Sequence, residues 1–276
     1  MSQLIDNLNI IESIKTDIKA AIENKGVDMT GVSFPGYASK IGEISGGGTV
    51  GWDQRSITEG NIEIINLDNS ASFVTSRAFL DNKNIQIVNL PYATSVGNNA
   101  FQNCSSLKQV DLPMCSYIGN GCLSSCRSLT QVSLPVCRII NAHAFMNCSS
   151  LKQVDLPMCS SIVYAVFSGC RSLAQVSLPV CSYIGYYAFQ NCSSLKQVDL
   201  PMCSKIDDYA FRSCSSLSII TLGYSSVCSL NNSSAFSCTQ ITSSTGSIYV
   251  PTSLVDSYKS ATNWSYFSTQ IFPISV

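Results

Sequence analysis

Residues 106–126 read SLKQVDLPMCSYIGNGCLSSC, and variants of this text return at an interval of 22 residues on either side. Within it Val110 and Leu112 alternate with Gln109 and Asp111, the mark of a short strand with one face turned inward. Pro113 has no N–H to give a ladder and ends that strand. Cys115 and Ile118 return to the interior. A second swing from polar to apolar ends in an Ala/Phe pair, intact at Ala144–Phe145, and in a final Cys.

The interval holds along most of the chain. Leu90, Leu112, Leu134, Leu156, Leu178, Leu200 and Leu222 stand 22 residues apart, as do Phe145, Phe167, Phe189 and Phe211. A fixed period of this length is the signature of a solenoid, in which each turn buries its apolar side against the next. Identical strands then stack in parallel, each side chain above its equivalent, with one strand expected per turn. The fold class expected is an α/β-type repeat solenoid, mainly β, of 22-residue turns. KQVDLPMC at residues 108, 152 and 196 alternates with TQVSLPVC and AQVSLPVC, a super-period of 44 residues. Carboxylates stacked on adjacent strands repel; alternating Asp111, Ser133, Asp155, Ser177 and Asp199 doubles their spacing from about 4.8 to about 9.6 Å. Doubling of a two-turn unit explains the same alternation. Gln109, Gln131, Gln153, Gln175 and Gln197 form an outward column suited to an amide ladder, and Gln109, Asp111, Gln153, Asp155, Gln197 and Asp199 make up the sheet face.

Eleven of the 14 cysteines, from Cys104 to Cys214, recur every 11 residues. A disulfide framework is spaced irregularly by its loops; a strict period marks equivalent positions, read here as small buried hydrophobes. Only 12% of residues are charged and the net charge is -1, which excludes the basic excess of a nucleic-acid binder and of a polybasic membrane-surface protein. No apolar run approaches the roughly 18 residues of a membrane span. The opening MSQLIDNLNIIESIK is acidic and polar, unlike a secretory signal.

Motifs for catalysis are missing. His143, the only histidine, occupies a repeat position held elsewhere by Asn99, Gly121, Ala165, Tyr187 and Tyr209, a variability that fits surface better than a catalytic base. Cys122 replaces the Ala of the Ala/Phe pair and reads as core, not as a zinc ligand with Cys126. Asp207–Asp208 is too few oxygens for calcium. No catalytic residue, metal or cofactor is expected, and the chain reads as a non-enzyme. Glycosylation sequons begin at Asn103, Asn147 and Asn191, one repeat position recurring.

The pattern LxxVxLPxCxxIxxxAFxxCxSL over about residues 76–241 resembles the BspA-like leucine-rich-repeat family. The resemblance implies a curved parallel-sheet solenoid without catalysis, acting in adhesion or recognition. GSIYVPTSLVDSYKSATNWSYFSTQIFPI is similar to the segment that closes such solenoids; Ile248-Tyr-Val reads as its last strand, followed by a helix that Ser253 caps and that ends near Asn263. Residues 14–44 resemble an N-terminal module of bacteriophage tail or fibre proteins. Leu4, Ile11, Ile14 and Ile18 lie on a heptad stripe of an amphipathic helix over residues 3–24, which either joins copies as a dimeric or trimeric coiled coil or packs on its own domain or on a larger assembly. The organisation expected is therefore a helix over 1–25, an attachment module and Gly linker over 26–50, a cap over 51–75 with a strand from Ile62 to Leu67, repeats over 76–241 and a second cap over 242–276.

Near-identical repeats are informative where they differ. The position after LPxC and one further residue holds Tyr117, Ile139, Ser161, Tyr183 and Lys205; three residues on come Asn98, Asn120, Ala142, Tyr164, Tyr186 and Asp208; the next column runs Asn99, Gly121, His143, Ala165, Tyr187 and Tyr209. Tyr, Ser, Asn and Gly dominate, as in a paratope. Either these are tolerant turns, or Tyr117, His143, Tyr164, Tyr183, Tyr186, Tyr187, Asp208 and Tyr209 form a ligand-binding ridge. The expectation is a homo-oligomeric virion fibre, assembled in a bacterial cytoplasm, that contacts other virion proteins and reads a host surface protein or glycan; the alternatives are a bacterial cell-surface adhesin and a purely structural virion protein. Nucleic acid and membrane insertion are not expected. Light scattering on the full chain and on a chain lacking residues 1–45 tests the oligomer: a dimer or trimer that becomes a folded monomer on truncation supports the coiled coil, and monomers in both cases overturn it.

Overall fold

A computed structural model describes residues 64–66 and 72–274 of the 276. The expected N-terminal helix with Leu4, Ile11, Ile14 and Ile18, the attachment module, the Gly linker and most of the first cap lie outside the described residues. Of the expected strand Ile62 to Leu67, Ile64–Asn66 is described, and it is a strand.

Each turn contributes two strands, not the single one expected. In the turn quoted above these are Gln109–Asp111 and Tyr117–Ile118, either side of the Pro113 corner. All pairings are parallel and advance one repeat at a time. Gln109 pairs with Gln131, Val110 with Val132 and Asp111 with Ser133; Tyr117 pairs with Ile139 and Ile118 with Ile140. The first ladder runs from Ile64–Asn66 to Ile271–Pro273 in three hydrogen-bonded sheets, and the second from Phe73–Val74 to Ser229–Leu230 in two. The second strand escaped notice because two residues cannot display a period of two. The alternation of Asp and Ser along the first ladder holds, and the glutamine column is exposed. The amide ladder does not form, however: among the described residues no glutamine side chain bonds to the next glutamine. Lys108 donates to the Gln86 side chain instead.

The third side of each turn is not a strand but stacks as tightly. Asn99, Phe101 and Asn103 donate their N–H groups to the carbonyls of Asn120, Cys122 and Ser124 one turn on, while Ala100, Gln102 and Cys104 donate locally to Gly97, Asn99 and Phe101. Every N–H of the segment is thereby satisfied, which a buried backbone requires. The alternation depends on two left-handed residues per turn. One column comprises Arg77, Asn99, Gly121, His143, Ala165, Tyr187 and Tyr209, with φ from 53° to 62°; the other comprises Asp81, Asn103, Ser125, Asn147, Gly169, Asn191 and Ser213. Asn is among the few residues that adopt this conformation readily, so the recurrence of Asn103, Asn147 and Asn191 has a backbone cause.

Between these walls lies a core built from columns. Leu107, Val110, Leu112, Cys115, Ile118, Leu123 and Cys126 of one turn are all fully buried. Phenylalanine rings stack through successive turns, with centroids 5.3 Å apart for Phe145–Phe167 and 5.4 Å for Phe167–Phe189. Such pairs contribute about 0.5–1.5 kcal/mol each beyond area burial. Leu123 interrupts the column beside Cys122, which is core as expected.

The cysteines are buried and unpaired, and they do more than fill space. The thiols of Cys126, Cys148, Cys170 and Cys192 donate to the carbonyls of Phe101, Leu123, Phe145 and Phe167 in the turn before, at 3.0–3.2 Å. Those of Cys115, Cys137, Cys159 and Cys181 cap the carbonyl two residues on, in the second strand of their own turn. Cysteine is thus a small hydrophobe that keeps one weak donor. Burial pushes the Cys115 thiol up to about 11 and those of Cys137, Cys170 and Cys181 to about 12.

At the C-terminal end Trp264 and Tyr258, both fully buried, roof the last Phe. The backbone N–H of Cys228 donates to the Tyr258 hydroxyl at 2.8 Å, and the Trp264 indole donates to the Cys228 carbonyl at 2.6 Å. Three expectations are corrected here. Ile248-Tyr-Val, within Ser247–Val250, is not the last strand, because Ile271–Pro273 pairs beyond it. Ser253 caps nothing: Pro251 starts a tight turn over Thr252–Leu254 that encloses it, and the helix is Val255–Ser260. Asn263 lies beyond that helix, left-handed at φ 66°, with its amide on the carbonyls of Leu230 and Asn231.

Thirteen cysteines are buried and Cys238 alone is exposed. A thiol reagent is therefore expected to modify one cysteine in the native chain and 14 in denaturant; several fast-reacting native thiols would contradict the packing.

Candidate binding ridge

The sheet-face residues Gln109, Gln153, Asp155, Gln197 and Asp199 lie exposed, and Asp111 half-buried, on the first ladder. That face is uniform from turn to turn. The variable positions lie elsewhere, on the second ladder and the corner that follows it. Tyr117 stands apart, exposed on the second ladder three turns from Tyr183.

His143, Tyr164, Tyr186, Tyr187 and Tyr209 come together. Tyr164 and Tyr186 stack at 5.9 Å with rings 7° from parallel, and Tyr187 and Tyr209 stack at 5.3 Å. Tyr186 meets Tyr187 edge to face at 4.1 Å and Tyr209 at 5.6 Å. His143 closes one end, edge on to Tyr164 at 4.9 Å. Tyr164 is exposed, while Tyr183 and the mutually packed Tyr186, Tyr187 and Tyr209 are half-buried, less open than the sequence suggests.

Polar groups border the rings. The Tyr183 hydroxyl donates to the Asp207 carboxylate, which also pairs with Lys205 at 3.0 Å. Lys205 lies 5.5 Å from the centre of the Tyr183 ring, and the Arg212 guanidinium 5.3 Å from that of Tyr209. Asp208 accepts from the Asn231 amide at 2.7 Å. The Tyr186 hydroxyl bonds to that of Tyr187 at 3.3 Å. That bond, with burial and the nearby Asp208 carboxylate, pushes the Tyr186 phenol up to about 12; burial, then the Asp207 carboxylate, does the same for Tyr183. The phenols of Tyr183 and Tyr186 are thus donors at neutral pH.

The two left-handed columns differ in what they hold. The second left-handed column holds only Asp, Asn, Ser and Gly throughout. The first holds Arg77, Asn99 and Gly121, then His143, Ala165, Tyr187 and Tyr209. A left-handed conformation costs an ordinary L-residue about 1–2 kcal/mol, and a bulky residue there is an outlier. Ring stacking repays part of the strain, and what remains is an aromatic surface on the outside of the solenoid.

Sequence reading missed the left-handed geometry, which no local motif declares, and the parts played by Asp207 and Arg212. It also missed a line of exposed apolar residues, Tyr92, Met114, Val136, Met158, Val180 and Met202, each following the proline of its turn; the strict period was the available signal. Among the described residues no group of His, Cys, Asp or Glu could hold a metal ion, and no helix is long and apolar enough to cross a membrane.

A model of the BspA-type leucine-rich-repeat region matches residues 55–170 and 138–261. Among solved structures, a leucine-rich cell-surface protein of Faecalibacterium prausnitzii is 31% identical, with a TM-score of 0.55 over 60% of this chain and 49% of that one. A leucine-rich-repeat protein of Eubacterium ventriosum is 22% identical, with a TM-score of 0.51 over 60% and 44%, a likeness of fold alone. The chain spans about half the length of these neighbours or less. A search of curated proteins finds no match.

Truncating Tyr187 to Asn or to Ala removes the same ring but leaves different strain. The Asn variant is expected to be more stable than the Ala variant by about 1 kcal/mol in denaturant unfolding; equal stabilities would show that the position is not left-handed.

Proposed function

Because the chain belongs to the BspA-type leucine-rich-repeat family, we propose that it is a bacterial cell-surface recognition protein, without catalysis, whose solenoid presents the tyrosine ridge to a ligand on a host or neighbouring cell. The carrying observation is the cluster of Tyr164, Tyr186, Tyr187 and Tyr209 on one outer corner, two of them in left-handed backbone. Rigid, amphipathic rings with few rotatable bonds provide contact area at low entropic cost, and tyrosine is enriched among residues that dominate binding energy. The Faecalibacterium neighbour is described as a cell-surface protein, which supports the location. The virion fibre expected from residues 14–44 rests on a stretch outside the described residues, and the comparisons lend that resemblance no support. Self-association through Leu4, Ile11, Ile14 and Ile18 remains a proposal on the same footing.

The test is adherence of the fluorescently labelled full chain to a panel of epithelial and bacterial cells. A Tyr186→Ala, Tyr187→Asn variant is expected to bind at least about tenfold more weakly, with Tm changed by no more than about 5 °C. Undiminished adherence overturns the ridge as the reading surface; a collapse in Tm places the rings in the folding core instead.

A further inference from the structure

We propose that the centre of the ridge, around Asp208, Tyr186 and Tyr187, receives a cationic side chain, an arginine or lysine of a protein partner. This rests on the recognition reading above and specifies its ligand. Carboxylates enter the ridge only where the rings are. The five turns before Asp207 hold Gly97, Gly119, Asn141, Val163 and Gly185 at its position, and Asp208 is preceded by Asn98, Asn120, Ala142, Tyr164 and Tyr186.

The two carboxylates are used differently. Asp207 is engaged by Lys205 and by the Tyr183 hydroxyl. Asp208, half-buried, has the neutral Asn231 amide as its partner and forms no salt bridge among the described residues. An ionised carboxylate accepts several hydrogen bonds, so acceptor capacity is left over beside the aromatic surface. The tyrosine faces carry the negative side of a quadrupole and attract ammonium and guanidinium groups. The chain already uses them so at both flanks, with Lys205 over Tyr183 and Arg212 over Tyr209. Between those flanks Tyr186, edge to face with Tyr187, feels the Asp208 carboxylate, and among the described residues no cation lies over either ring. An uncharged glycan can donate hydroxyls to Asp208 but brings no positive charge to the ring faces, so a neutral sugar is the control for the cation.

The experiment titrates the full chain with N-acetyl-arginine amide and with tetramethylammonium, using glucose as the neutral probe, and follows tyrosine ring signals by NMR. Saturable shifts with a midpoint on the order of millimolar are expected from both cations, but not from glucose. Asp208→Asn keeps an oxygen for Asn231, so it spares the fold; it is expected to weaken the cations about fivefold or more, as is raising salt from about 0.05 to about 0.5 M. Glucose shifts equal to those of the cations, an unaffected Asp208→Asn variant, or no saturation by about 100 mM overturn the proposal. If cells still lose the Tyr186→Ala, Tyr187→Asn variant while the cations fail to bind, this inference falls and the recognition reading stands. If the cations bind but the ridge variant adheres normally, the recognition reading falls instead.

Discussion

The structure depends on one constraint: in a parallel stack with a pitch of about 4.8 Å, every residue sits on its own equivalent. Like must tolerate like. Rings tolerate it well, and the phenylalanine column gains from it. Carboxylates tolerate it badly, and Asp alternates with Ser along the first ladder. Buried carbonyls tolerate it only with a donor nearby, which the cysteine columns supply in two separate geometries. A residue as unusual in bulk as cysteine is here becomes intelligible once it is seen as the smallest apolar side chain that still offers a hydrogen.

The same constraint explains which features could be read in the chain. Periodicity is a property of the sequence, so the solenoid, the first ladder, the inward columns and the corner prolines were legible. Dihedral angles are not. Asn103 and Tyr187 both occupy left-handed positions, but only the first residue type suggests it. The two-residue strands, such as Tyr117–Ile118, are too short for alternation to register. At the C-terminal end the repeat fades, and there Ser253 misled: a hydroxyl before a helix resembles a cap, whereas Pro251 had already set the turn. The glutamine column shows the converse error, a repeat of suitable residues whose side chains extend into solvent instead of joining.

The ridge is legible by composition and not by arrangement. Its residue types suggested a binding surface; that Tyr164, Tyr186, Tyr187 and Tyr209 touch, while Tyr117 does not join them, follows from the stacking of neighbouring turns and from the left-handed backbone. The ridge also illustrates a division of labour in the solenoid. The inner columns are held nearly constant by burial, and the outer corner accepts strain because the neighbouring turns already satisfy its backbone.

The near-identity of the units has a further consequence at the level of the gene. KQVDLPMC recurs every 44 residues, at 108, 152 and 196, so misaligned recombination between its copies gains or loses 44 codons, inserts or removes two whole turns and keeps Asp alternating with Ser. An inserted turn finds donors and acceptors waiting above and below it, because alternate N–H groups of the third side bond to carbonyls one turn away. The molecule can thus lengthen in steps of about 9.6 Å, and each step copies or deletes two rungs of the outer corner. Reach and binding surface become heritable digits that shuffle together while the interior stays the same.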